Sequence, residues 1–155
     1  MSTSFQSKIP NSLNEHWMPF SSNKDFKKNP RIIVGAEGIY LKTHDGKTLI
    51  DASSGLYCNP LGHGRKEIIN AIKSQLEQLD YTMPFQQGYG GSFELATMIA
   101  QKTPEDLNRI FYTICGSTAV ETAIKISVAY FRSIGQTNRF KFVGRERGYH
   151  GMNIG

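Results

Sequence analysis

The run Cys115-Gly116-Ser117-Thr118 holds residue types that suit an anion. Gly116 lets a ligand approach the main chain, and Ser117 and Thr118 offer hydroxyl donors. An apolar stretch, Arg109 to Ile114, leads into this turn, and an amphipathic stretch follows at once. A helix beginning there aims unpaired N–H groups and about half a positive charge at one point, where a phosphate can sit. The same residues also suit an ordinary helix start, because Thr118-Ala-Val-Glu121 reads as a capping box. Further on, Tyr149-His150 stands between Gly148 and Gly151. Glycines on both sides let the chain turn sharply and expose the rings, and a flat aromatic can cover one face of a cofactor ring. Packing of a loop aromatic is the plainer use of the same residues. Together the two segments suggest a cofactor with a phosphate and a flat ring.

Other candidates are less pointed. Trp17, Phe20, Tyr57 and Phe85 are aromatics in loop-like contexts, where they could line a pocket or simply pack. His63, between Gly62 and Gly64, is equally open. The four histidines show no metal-ligand spacing, so no metal site is expected. Cys58 and Cys115 lie far apart and read as reduced thiols of a cytoplasmic protein. No lysine is singled out by its context as a buried, reactive amine.

The elements that must position these residues follow from apolar spacing. Residues 1–35 form a polar arm interrupted by His16-Trp17-Met18-Pro19-Phe20, an island that a free tail would not need. In the next part, residues 36–80, Asp45-Gly46 between two apolar runs signals a two-residue hairpin turn. A helix starts near Lys66, with Ile68, Ile72, Leu76 and Leu79 on one face. Residues 81–155 change character. Ser92 can cap a helix through about Lys102, with Leu95, Met98 and Ile99 inward and Pro104 as the stop. Arg109 to Ile114 reads as a strand and Thr118 to Ser133 as a helix. Val120, Ile124, Val128 and Phe131 make its buried stripe, and Gly135 its C-terminal cap. Phe140 to Val143 is the next strand, so the order is βαβ and the fold class α/β with a parallel sheet. Two strands do not make a stable sheet, so that sheet is incomplete within these residues.

The chain of 155 residues has a net charge of +5, spread along its length without a block of like charges. That balance suits an anionic ligand at least as well as a nucleic acid. No apolar run approaches the ~18 residues of a membrane span, and the first residues lack the apolar stretch of a secretory signal.

An ordered set of segments resembles the front portion of the class III pyridoxal-phosphate aminotransferases, the omega-amino-acid or beta-alanine–pyruvate group in particular. The similar segments are His16 to Phe20, Asp45-Gly46-Lys47 with Leu49-Ile50-Asp51, Gly55-Leu56-Tyr57-Cys58, Gly62-His63, Arg109 to Thr113, Gly116-Ser117 through Lys125, and Gly144 to Gly151. The resemblance implies a fold-type-I enzyme, dimeric, with sites at the subunit interface and pyridoxal 5'-phosphate as cofactor. Its reaction would move an amino group from an amine or omega-amino acid to an oxo acid such as pyruvate. Carried over by position, Cys115, Gly116, Ser117 and Thr118 would cradle the phosphate. Tyr149 would stack on the cofactor ring with His150 beside it. Trp17, Phe20, Tyr57 and Phe85 would line the substrate pocket, some of them across the dimer interface. Three positions depart from the family's habit: Cys115 and Thr118 stand where Ser and Glu are common, and Tyr57 where Trp is. The family's Schiff-base lysine and its acidic partner have no counterpart here, so the chain alone is expected to be inactive. Neither nucleic acid nor membrane is expected as a partner. The rival readings are a truncated, non-catalytic remnant or partner-binding half, and a basic phosphate- or nucleic-acid-binding module.

Overall fold

A computed structural model describes residues 9–154. The first eight residues of the expected arm, and the last residue of the chain, lie outside the described part. The chain divides into two compact units, Met1–Tyr81 and Thr82–Gly155.

The first unit is a three-stranded antiparallel meander flanked in sequence by two helices. The helices are α1 (Asn23–Lys28) and α2 (Lys66–Gln78), and the strands are β1 (Ile33–Glu37), β2 (Tyr40–Thr43) and β3 (Thr48–Ile50). Pairing runs Glu37 to Tyr40 across the first turn and Lys42 to Thr48 across the second. The two-residue turn expected at Asp45-Gly46 falls instead at Gly38-Ile39, with Gly38 at φ 56°. A glycine first in a two-residue hairpin turn matches the right-handed strand twist. Asp45-Gly46 belongs to a three-residue turn, closed by the Thr43 N–H donating to the Lys47 carbonyl at 2.9 Å, with Gly46 left-handed at φ 82°. The Thr43 hydroxyl selects this longer turn. It donates to the Asp45 carboxylate and accepts the Lys47 N–H at 3.0 Å, and Thr43 is buried.

The second unit carries α3 (Gly90–Ala100) and α4 (Gly116–Ser133). Helix α3 starts two residues before the expected cap. Tyr89 is the N-cap, and Ser92 lies in the first turn with its hydroxyl donating back to the Tyr89 carbonyl at 2.7 Å. Helix α4 ends as its sequence implies. Gly135 takes φ 79°, its N–H donates to the Arg132 carbonyl, and the Gln136 N–H donates to that of Phe131 at 2.8 Å. This paired pattern satisfies two carbonyls that the helix end would otherwise strand. The Arg139 guanidinium lies 3.9 Å from the Phe131 ring centre and closes the corner.

The segments Arg109 to Ile114 and Phe140 to Val143, expected as parallel strands, form no ladder among the described residues. A strand exists through its neighbour's hydrogen bonds, and neither segment has such a neighbour here. Tyr112 is nonetheless tied to α3, its hydroxyl donating to the Ser92 carbonyl at 2.8 Å. The second unit has no strand ladder among the described residues, and α3 and α4 do not bury their stripes. Leu95 and Met98 are exposed, and Val120, Ile124, Val128 and Phe131 are half-buried. On α2 the residues Ile68, Ile72 and Leu76, and Leu79 at its C-cap, are exposed as well. Among the described residues no apolar side chain is buried. The apolar periodicity was therefore legible, but its burial needs surface that these units do not supply.

Candidate cofactor site

The turn before α4 is built in layers. Cys115 is extended, at φ −162° and ψ 168°, and is the N-cap. The helix therefore opens at Gly116, two residues before the expected start at Thr118, and its cap is Cys115 where the capping box implied Thr118. Glu121 does not reach back to the cap. It pairs with Lys125 at 2.5 Å and accepts from the Asn153 side-chain amide at 2.8 Å. The first-turn N–H groups are left for other acceptors, because they have no intrahelical partner. The Cys115 sulfur shares a hydrogen bond with the Thr118 hydroxyl at 3.3 Å. That bond, then the Thr118 and Ser117 N–H groups, hold the Cys115 thiol below the usual thiol range.

Gly116 faces open space. A side-chain carbon added there would meet nothing within 4 Å. Ser117 meets the loop that follows Tyr149 and His150. Gly151, at φ 122°, passes so close that a Cβ on it would stand 2.8 Å from the Ser117 Cα. The next residue, Met152, donates its N–H to the Ser117 hydroxyl oxygen at 3.3 Å. A serine hydroxyl has one hydrogen to donate, so accepting from Met152 leaves that hydrogen available and orients it. The two segments singled out by their residue types are therefore brought together, 35 residues apart in sequence. Asn153 on Glu121 is a second fastening of the same loop to α4.

The rings of that loop differ. Tyr149 is 72% exposed. His150 folds back over its own loop, its Nε2 lying 2.8 Å from where a Cβ on Gly148 would be. Phe85, also of the second unit, is exposed beside Gln86, which takes φ 60°.

Trp17, Phe20 and Tyr57 belong to the first unit. Asn23 fixes the Trp17 segment by accepting the Met18 N–H and donating to the Met18 carbonyl, both at 2.8 Å. Phe20 sits at φ 50° and Tyr57 at φ 70°, and both rings are about nine-tenths exposed. Left-handed backbone is uncommon for bulky residues and persists only where surrounding bonds hold it. For Tyr57 the bond is its own N–H donating to the Ser53 carbonyl at 3.3 Å, and Ser53 is held in turn by Asp51, a residue the spacing did not single out for a role. Its carboxylate accepts from the Ser53 N–H, the Ser53 hydroxyl and the Gly55 N–H, and from His63 Nε2 at 3.0 Å. A carboxylate only accepts, so the histidine nitrogen is the donor. The His63 bond is the largest cause that lowers the Asp51 pKa to about 2. Asp51 and His63 are twelve residues apart, so no local periodicity could pair them. Among the described residues no group of His, Cys, Asp or Glu side chains could hold a metal, and no helix is long and apolar enough to cross a membrane.

Comparison with known proteins adds the context of this geometry. The family model for aminotransferase class-III matches residues 21–155. The beta-alanine–pyruvate aminotransferase of Pseudomonas aeruginosa is 49% identical over 142 residues, and the omega-amino acid–pyruvate aminotransferase of Pseudomonas putida is 46% identical over the same length. Each alignment covers 92% of this chain and 32% of the relative, so the chain spans about a third of the length of the curated relatives it matches. Among solved structures, the adenosylmethionine-8-amino-7-oxononanoate aminotransferase from Methanocaldococcus jannaschii aligns with a TM-score of 0.86 at 37% identity. That alignment covers 91% of this chain and 32% of the other.

Proposed function

The chain belongs to the class III aminotransferases, and we propose that it forms the front part of an enzyme moving an amino group from an omega-amino acid or amine to an oxo acid such as pyruvate. The observation that carries this reading is the approach of Gly151 and Met152 to Ser117 at the start of α4. It sets a ring-bearing glycine loop against a helix start that favours anions. The residues present fit pyridoxal 5'-phosphate: open space at Gly116, an oriented hydroxyl at Ser117 and an exposed Tyr149. When bound, that group acts as an electron sink for the substrate's Cα.

The chain's own residues would do the holding. Gly116 and Ser117 would receive the phosphate on backbone N–H groups and one hydroxyl, and Thr118 would add a second hydroxyl. Cys115 contributes the cap carbonyl, which accepts the Ala119 N–H at 3.0 Å and so starts the helix. Tyr149 would fix the plane of the ring, and His150 would brace the loop from behind. Trp17, Phe20, Tyr57 and Phe85 would exclude water and shape the amine pocket. The similarity to the two Pseudomonas pyruvate-dependent enzymes supports pyruvate as acceptor. A cytoplasmic homodimer completes the reading, and the exposed apolar stripe of α2 supports a larger assembly. Residues 1–35 would be the arm, 36–80 part of a small domain and 81–155 the start of the cofactor domain.

The test is direct. The whole protein, given pyridoxal 5'-phosphate, beta-alanine and pyruvate, is expected to produce alanine. The 155 residues alone are expected to produce none, because the lysine and the acidic residue that the family's chemistry uses have no counterpart among the segments that resemble it. Absence of alanine from the whole protein with beta-alanine, with other omega-amino acids and with simple amines would overturn the reading.

A further inference from the structure

Asp51 sits at the end of β3 and binds forward into the loop that carries Tyr57. Its Oδ1 accepts from the Ser53 N–H at 3.2 Å, the Ser53 hydroxyl at 3.0 Å and the Gly55 N–H at 3.3 Å. Its Oδ2 accepts from His63. His63 is in turn held on the first hairpin, exchanging backbone hydrogen bonds with Gly38 at 2.8 and 3.0 Å. One carboxylate thus ties the sheet, the start of the loop and the loop's return. Between those ties Ser54, Gly55, Leu56 and Tyr57 all take positive φ. Four successive left-handed residues, three of them with side chains, are not a conformation the chain would keep unaided. The Asp51 side chain is only 9% exposed, while Tyr57 at the loop's tip is 90% exposed. The loop spends its bonds inward and presents its ring outward.

We infer that Asp51, anchored on His63, is a positioning residue that sets amine specificity by holding Tyr57 in its presenting conformation. The inference rests on the reading of Tyr57 as a pocket residue. The bonds of Asp51 run to Ser53, Gly55 and His63. Each of its oxygens already accepts from a donor of the loop or of His63, and it has no proton to give, so its role is geometric. An aliphatic replacement would release the Ser53 and Gly55 N–H groups and the His63 ring together, and the loop would relax toward ordinary φ values.

The experiment is a double-mutant cycle in the whole protein, with KM for the amine donor, kcat, cofactor affinity and unfolding midpoint measured for each variant. Asp51→Ala is expected to raise KM for the amine by about ten- to a hundredfold, as a misplaced positioning group does. Asp51→Asn keeps one acceptor oxygen for the loop N–H groups and is expected to recover part of that loss. In the Tyr57→Ala background Asp51→Ala is expected to add little, because the ring it positions is gone. An equal KM penalty in both backgrounds would overturn the inference, as would a fall in unfolding midpoint or cofactor affinity with KM unchanged. A whole protein that transaminates no amine would instead refute the functional reading, and the two failures are distinct.

Discussion

Replacing Gly116 by alanine separates a phosphate cradle from a plain helix start, because both readings leave the apo form as stable or more so and only the cradle loses cofactor affinity. Gly116 is the first residue of α4, and its φ lies outside the left-handed region. A Cβ there meets nothing within 4 Å, so the protein's own atoms accept it. Glycine to alanine at a compatible helical position stabilises by about 0.4–1 kcal/mol, mainly by restricting the unfolded chain. The cofactor-free protein should therefore unfold at the same denaturant concentration or a higher one. If a phosphate occupies the open space, the same methyl group displaces it from the first-turn N–H groups. A hydrogen bond to a charged group contributes about 1.5–3 kcal/mol, so losing one weakens cofactor binding roughly ten- to a hundredfold. Gly116→Val should do so more severely. The assay is equilibrium titration of the cofactor into the apo form of the whole protein, beside a denaturant series on that apo form. Raised stability with unchanged affinity would refute the cradle and leave the turn as a helix start only.

Three other outcomes follow from the same geometry. Gly151→Ala must place a Cβ 2.8 Å from the Ser117 Cα at a φ of 122°, so the loop must retreat from α4. Such backbone strain costs about 1–3 kcal/mol, and the Met152 amide should lose hydrogen-exchange protection together with cofactor affinity; retained protection and affinity would count against the docking. The Cys115 thiol is held below its usual range by Thr118 and the first-turn N–H groups, so it should alkylate faster than an ordinary thiol at neutral pH. A bound phosphate would compete for those donors, and its dianion would disfavour the thiolate, so saturating cofactor should slow alkylation at Cys115; an unchanged rate would argue that the phosphate binds elsewhere. Asp51 has its pKa lowered to about 2 in the folded state against 3.8 for the free side chain. Its contribution is therefore complete above pH 4 and lost as the pH falls from about 4 to about 2. Protection of the Ser53 and Gly55 amides should fall in that window, relative to amides of α4, and Asp51→Asn should remove the dependence.

Local chemistry was legible in the residues themselves. Gly135 was readable as the C-terminal cap of α4, since the motif needs only the last turn and a residue free to take positive φ. The helix near Lys66 and the stripe on α4 were readable from spacing, because helical neighbours recur every three to four residues. The hairpin was readable in existence but not in turn length, since the Thr43 side chain competes with the two-residue turn that Asp45-Gly46 suggests. The helix start was misjudged by two residues for a related reason: Glu121 had Lys125 and Asn153 as partners, and the capping box lost its second arm. The family resemblance singled out the residues proposed for the cradle, from the order of motifs alone. Only the tertiary structure brings Gly151 and Met152 onto Ser117, or His63 onto Asp51. Those contacts span 35 and 12 residues, and no periodicity links positions so far apart. The same limit governs Arg109 to Ile114 and Phe140 to Val143. Apolar composition can make a segment suited to a strand, but a strand forms only where another chain segment supplies its hydrogen bonds.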